Sequence, residues 1–129
     1  RANLFGKNFD MYKEEAQLPL LIAQIEHVNA VNNLEDILQV EGLDAIIVGP
    51  YDLSASMGIT GEFDTQVFID TMNNIMSLCK KHNIPCGDHV VQPNQELLEI
   101  RIKQGYRFIA HGTDGVFLYH SAQLKKNSN

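Results

Sequence analysis

The sequence predicts an α/β fold, a parallel sheet with helices packed outside it. Three observations carry that expectation. Short continuous apolar runs are bounded by proline, glycine or polar residues, as strands buried on both faces are. Between these runs the apolar spacing changes to the helical period. The two patterns alternate four times along the chain, the order that joins parallel strands through crossover helices.

The elements follow in order. Residues 19–25, "PLLIAQI", form the first apolar run, expected as a strand buried on both faces. Ala30, Leu34, Ile37 and Leu38 then recur at helical spacing, with Gly42 after "QVE" as the stop. "DAIIVG" at 44–49 repeats the strand signature, and Phe68, Met72, Ile75, Met76 and Cys79 mark the apolar face of a second helix. That helix ends in "KKHN", where Lys80, Lys81 and His82 suit the negative end of the helix dipole. "IPCG" at 84–87 is a shorter strand, followed by a helix over 94–105 with Leu97, Leu98, Ile100 and Ile102 as its apolar side and Gly105 at its end. "RFIAHG" at 107–112 gives the fourth strand, and "GVFLYHSAQLKK" begins a fourth helix.

Length and composition fit one domain over residues 1–129 without an internal boundary: 44% of residues are hydrophobic and 20% charged, with no low-complexity stretch or like-charge run. No segment approaches the roughly 20 apolar residues that span a bilayer, and the first ten residues lack the pattern of a signal peptide, so the expectation is a soluble, cytoplasmic protein without membrane partners. A net charge of -6 offers no basic stripe for a phosphate backbone, which excludes nucleic acid as the expected partner and leaves small molecules or proteins. Cys79 and Cys86 have neither CxxC nor zinc-ligand spacing; two buried free thiols are the plainer reading, a disulfide the alternative.

In parallel α/β sheets ligands collect beyond the carboxyl ends of the strands. Here those ends are residues 24–26, 49–52, 87–89 and 112–114. Glu26 and Asp52 therefore fall at the ligand-binding end of successive strands, spaced by roughly 4.8 Å. Two carboxylates that close repel unless a cation or a shared proton compensates them, and oxygen donors suit a hard divalent ion such as Mg2+ or Mn2+. A plainer reading stands beside this one: Asp52 caps a helix beginning near Leu53, and Glu26 points into solvent.

The block "QIEHVNAVNNLEDILQVEGLDAIIVGPYDLSASMG", residues 24–58, resembles the central signature of the HpcH/HpaI class II aldolases, metal-dependent pyruvate aldolases. "RANLFGKNFDMY" at the start and "GYRFIAHGTDGVFL" near the end are similar to the segments flanking that block. The resemblance implies a (β/α)8 barrel of the phosphoenolpyruvate/pyruvate superfamily, of which this chain supplies strands five to eight. It implies Glu26 of "QIE" and Asp52 of "GPxDLS" as metal ligands, with Mg2+ or Mn2+ as the cofactor. The activity implied is retro-aldol cleavage of a 4-hydroxy-2-oxo acid to pyruvate and an aldehyde, with the reverse addition, in a homo-oligomeric enzyme.

The same resemblance implies a pyruvate carboxylate bound by the main-chain N–H groups of Tyr51 and Asp52, with Gln24 lining the pocket or fixing the strand end as a buried amide. Tyr51, at the variable motif position, shapes the aldehyde end or packs as an ordinary tyrosine. His27 stands where relatives usually carry a small hydroxyl residue and is either a partner of Glu26 or a histidine facing a neighbouring loop. Thr113 and Asp114 are expected to make a structural hydrogen bond, while Asp88 and His89 receive no role. The arginine and histidine that the family uses for keto-oxygen polarisation and proton transfer belong to the first half of the barrel and match no residue here, Arg1 included.

The chain thus reads as an aldolase fragment, an incomplete gene product, or a half-barrel that needs a partner. Two alternatives are a citrate-lyase-like enzyme acting on a CoA ester and a catalytically inactive half-barrel with a binding or assembly role. Half a barrel leaves open strand edges, from which self-association or low stability is expected.

Overall fold

The computed structural model describes residues 6–123. The elements run α1 (Phe9–Glu15), β1 (Ile22–Ile25), α2 (Val28–Asn32), α3 (Leu34–Ile37), β2 (Ala45–Val48), α4 (Pro50–Ser56), α5 (Gln66–His82), β3 (Cys86–Val90), α6 (Gln95–Gln104), β4 (Phe108–His111) and α7 (Asp114–Ala122). The strands form one sheet in the order β1-β2-β3-β4, with every neighbouring pair parallel. Arg1 and the start of the first family-like segment lie outside the described residues.

Register divides the side chains between two faces. The row Ile25, Val48, Asp88, Ile109 lies on the face where the core gathers, joined there by Ile46 and Cys86. Against it pack Leu34, Leu38, Leu53, Phe68, Met72, Ile75 and Cys79 from the helices. The opposite face carries the row Gln24, Ile47, Gly87, Phe108. Gly87 is glycine for a steric reason: a Cβ there would lie 2.4 Å from the Phe108 ring.

The helix ends have local causes. Pro50 occupies the first turn of α4, where its fixed φ suits a helix start and its missing N–H is not needed. Asn83 takes the left-handed conformation (φ 57°) that closes α5, and Gly105 (φ 98°) closes α6. The side chains of Asn94 and Thr113 accept hydrogen bonds from the N–H groups of Leu97 at 2.9 Å and Val116 at 3.4 Å, capping α6 and α7. Thr113 therefore has the structural role expected of it.

Several expectations need correction. The run over 19–25 is not a strand buried on both faces: pairing begins at Ile22, and Leu20 and Leu21 are exposed, because β1 is an edge strand whose outer side has no neighbour among the described residues. The helical spacing over 30–38 is two short helices broken at Asn33. The third strand lies further along than 84–87 and includes Asp88 and His89, since Ile84 instead bonds back to the Cys79 carbonyl at the end of α5. Ile100 and Ile102 of α6 are exposed instead of forming a buried face. The helix near Leu53 starts at Pro50, so Asp52 sits within its first turn and does not cap it. Helix α1, exposed along its length, had no counterpart in the apolar pattern.

Candidate active site

The parallel sheet places Glu26, directly after β1, beside the start of α4, directly after β2. The β1–β2 ladder continues one step past the pair Ile25–Val48, with the Gly49 N–H donating to the Ile25 carbonyl at 3.1 Å. Gly49 is thereby held under the side chains of Gln24 and Glu26. A Cβ on Gly49 would lie 3.1 Å from Gln24 Nε2, 3.2 Å from Glu26 Cβ and 3.3 Å from Glu26 Oε2. Glycine leaves only a hydrogen at that point, and a carboxylate and a carboxamide close over the backbone. Gln24 and Glu26 stand two apart and so share one side of the strand. Both are exposed among the described residues.

Asp52 comes three residues after Gly49, in the first turn of α4, where a carboxylate faces the positive end of the helix dipole. The N–H groups of Tyr51 and Asp52 precede the intrahelical ladder, which Leu53 opens by donating to the Gly49 carbonyl at 2.9 Å. Among the described residues neither N–H has a protein acceptor. Two donors and two carboxylates are thus brought to one end of the sheet.

Two serines that the sequence reading passed over hold this arrangement. The Ser56 hydroxyl donates to the Leu53 carbonyl at 2.7 Å and accepts the Val28 N–H at 2.9 Å, fastening the turn after Glu26 to the helix that carries Asp52. The Ser54 hydroxyl donates to the Tyr51 carbonyl at 2.9 Å and accepts the Gly61 N–H at 3.0 Å, fixing the segment after α4. Their signal in the sequence is the pair of hydroxyls flanking Ala55 just after Leu53, on a helix too short to hold its position by its own hydrogen bonds.

The remaining expectations divide. His27 caps α2, its Nδ1 accepting from the Asn29 N–H at 3.1 Å, which is a local structural use of the ring. Tyr51 stacks edge-on against Phe63 with ring centroids 5.0 Å apart and lines a cavity of about 240 Å3 with Pro50, Phe68, His89 and Arg101. Asp88 points to the helix layer, where Arg101 Nε lies 2.6 Å from its Oδ2, so its carboxylate serves the packing of α6 and not the Glu26 end. A cavity of about 340 Å3 between α5 and α6 is lined by Met72, Met76, Lys80, Arg101 and Tyr106, and it touches neither Glu26 nor Asp52.

The exposed Glu26 carboxylate, given room by Gly49, and the exposed Asp52 carboxylate in the first turn of the following helix fit a hard divalent cation that keeps open positions for water or substrate oxygens. They do not fit a closed tetrahedral site. Among the described residues no three His, Cys, Asp or Glu side chains gather as that would need.

The model of the HpcH/HpaI aldolase/citrate lyase family matches residues 6–121. A 5-keto-4-deoxy-D-glucarate aldolase of Salmonella arizonae is 36% identical over 118 residues, covering 91% of this chain and 45% of the relative. A crystal structure of an HpcH/HpaI aldolase/citrate lyase family protein from Burkholderia cenocepacia superposes with a TM-score of 0.74 at 25% identity, over 79% of this chain and 39% of that one. A citrate synthase superposes with a TM-score of 0.70 at 29% identity, over 79% of this chain and 41% of the other. The chain spans about half the length of the curated relatives it matches.

Proposed function

The chain belongs to the HpcH/HpaI aldolase/citrate lyase family, and from that premise we propose that it is the metal-binding part of an aldolase. The reaction is cleavage of a 4-hydroxy-2-oxo acid into pyruvate and an aldehyde, with the reverse addition. The observation that carries this reading is the Gly49 cradle, which sets the Glu26 carboxylate and the Gln24 carboxamide against the turn leading to Asp52. In this reading the four parallel strands are strands five to eight of a (β/α)8 barrel.

Glu26 and Asp52 hold Mg2+ or Mn2+. Such an ion, bound there, supplies Lewis-acid stabilisation of the negative charge that develops on the keto oxygen as the bond between C3 and C4 breaks. The chain's own groups bind and orient. The N–H groups of Tyr51 and Asp52 receive the substrate carboxylate, and Gln24 lines the same end of the pocket. The Tyr51 ring, braced by Phe63, walls the side toward the aldehyde. No residue here is assigned to take the proton from the 4-hydroxyl or to protonate C3 of pyruvate. Relatives named as 5-keto-4-deoxy-D-glucarate aldolases support a hydroxylated, sugar-derived oxo acid as the substrate class. A homo-oligomer in the cytoplasm completes the proposal. Among the described residues no helix is long and apolar enough to cross a membrane.

The test is pyruvate release from 5-keto-4-deoxy-D-glucarate by the chain in its full-length context, with Mg2+ or Mn2+ and then with a chelator. Pyruvate that disappears with the chelator and in Glu26→Gln supports the reading; pyruvate release indifferent to both contradicts it. The likeness to a citrate synthase points toward a second reading without favouring it, a citrate-lyase-like enzyme acting on a CoA ester. Turnover of such substrates in place of the oxo acid would select it.

A further inference from the structure

The alternation of β3 sets His89 on the face of the sheet that carries Gln24 and Glu26. Asp88 before it reaches into the helix layer, its Oδ2 2.6 Å from Arg101 Nε, and Val90 after it is buried. Side chains alternate along a strand, so His89 between them points the other way. Gly87, two residues earlier, agrees with that direction: the Phe108 ring that covers it belongs to the same row as Gln24 and Ile47.

One step further along the strands, the same register sets Glu26, Gly49, His89 and Ala110 side by side. His89 pairs with Ala110 on β4, and continuing past the pair Val48–Asp88 brings Gly49 beside it on the β2 side. Its neighbours in the row are therefore a glycine and an alanine, which leave room on both sides of the ring. Glu26 stands two strand spacings away, roughly 10 Å between backbones. Its carboxylate leans across that interval, with Oε2 3.3 Å from where a Gly49 Cβ would lie. The space between carboxylate and imidazole is thus floored by a residue without a side chain.

The His89 ring is only partly covered, yet its Nε2 is buried and has no hydrogen-bond partner among the described residues. A buried polar atom left in that state is costly until something pairs with it. In the row of four, with Glu26 ionised, the imidazole is the one side chain that can donate a hydrogen bond.

We propose that His89 is a specificity-determining residue: its imidazole hydrogen-bonds a hydroxyl on the aldehyde half of the substrate and so selects hydroxylated aldehydes over apolar ones. The inference rests on the aldolase reading above. The pyruvate half belongs to the side of Glu26, Asp52 and the Tyr51 N–H; His89 stands across Gly49 from Glu26, where the remainder of the substrate extends. An aldehyde without the hydroxyl leaves the imidazole unpaired, and a site built around such a bond discriminates strongly against the analogue that lacks it.

The experiment uses the chain in its full-length context with Mn2+ and follows addition of pyruvate to glyceraldehyde and to propanal, aldehydes of equal carbon number. The wild type should prefer glyceraldehyde in kcat/KM by about tenfold or more. His89→Leu should bring the ratio close to one through loss on glyceraldehyde, with propanal addition undiminished, and His89→Gln should keep part of the preference. Mn2+ titration in the presence of pyruvate should be the same for all three proteins, which shows that the variants fold and hold the pyruvate half. A preference that survives His89→Leu, an equal fall on both aldehydes, or a wild type without preference would each overturn the inference and leave the aldolase reading standing. Absence of Mn2+-dependent addition to either aldehyde in the wild type would overturn both.

Discussion

A methyl group on Gly49 would meet Gln24 Nε2 at 3.1 Å and Glu26 Oε2 at 3.3 Å, closer than side chains ordinarily pack. Gln24 and Glu26 are exposed and can swing aside, so Gly49→Ala should leave the fold largely intact, at a cost of about 1 kcal/mol or less, while displacing the carboxylate. The expected result is an Mg2+ or Mn2+ affinity lower by about tenfold, the scale seen when a ligand loses its support. Metal titration beside a urea melt separates the two effects. Glu26 and Asp52 were legible in the sequence because each follows an apolar run that reads as a strand. Gly49 was legible only as part of a motif, since what it makes room for lies on another strand. Ser56 was invisible for the same reason: its partner is the Val28 N–H, brought near only by the sheet.

Helix α6 has no fully buried residue, and a buried charge pair ties it to the sheet. Asp88, 2% exposed, pairs with Arg101, whose guanidinium also lies over the Tyr106 ring at 5.9 Å. Burial pushes the Tyr106 hydroxyl well above the ordinary phenol range, and the Asp88 charge adds to it. Arg101→Ala would strand the Asp88 carboxylate, so it should destabilise by about 3 kcal/mol. Asp88→Asn combined with Arg101→Ala should recover part of that loss, readable in urea melts.

Between α3 and α5, Glu35 accepts from Lys81 and lies 3.5 Å from His82 Nε2. The Lys81 hydrogen bond first, then the neighbouring His82 ring, holds the Glu35 carboxyl below its ordinary range. With the folded value depressed, this contribution to stability is present above the ordinary carboxylate range and is lost as pH falls through the folded value. The pair is exposed, so added salt should also weaken it. Comparing urea midpoints of the wild type and Lys81→Met from neutral to acid pH checks this: the difference between them should close in acid. At this scale the sequence indicated the long elements α5 and α6 through their period and end residues. It misplaced β3, because Asp88 and His89 interrupt the apolar run although they lie within the strand, and it missed the break at Asn33, because a one-residue interruption barely alters the helical spacing.

At the scale of the molecule, four parallel strands in sequence order leave β1 and β4 as edges among the described residues, and the apolar side chains of Leu20, Leu21 and Ile22 lie exposed at one of them. Open edges with apolar flanks recruit further strands. The chain by itself should therefore self-associate in light scattering, and a monomer with a cooperative melt would count against the half-barrel account. The alternation of strand and helix was plain in the sequence because each element carries its own period. Which residues would face a partner segment was not, since exposure depends on what lies beyond the sheet.

The central claim is that Glu26 and Asp52 converge on one divalent cation. Calorimetric titration of Mn2+ or Mg2+ into the chain and into Glu26→Gln and Asp52→Asn, with and without pyruvate, tests it most directly. The account predicts binding that pyruvate strengthens and that either substitution abolishes. Absence of binding in a folded chain, or binding that survives both substitutions, would contradict it.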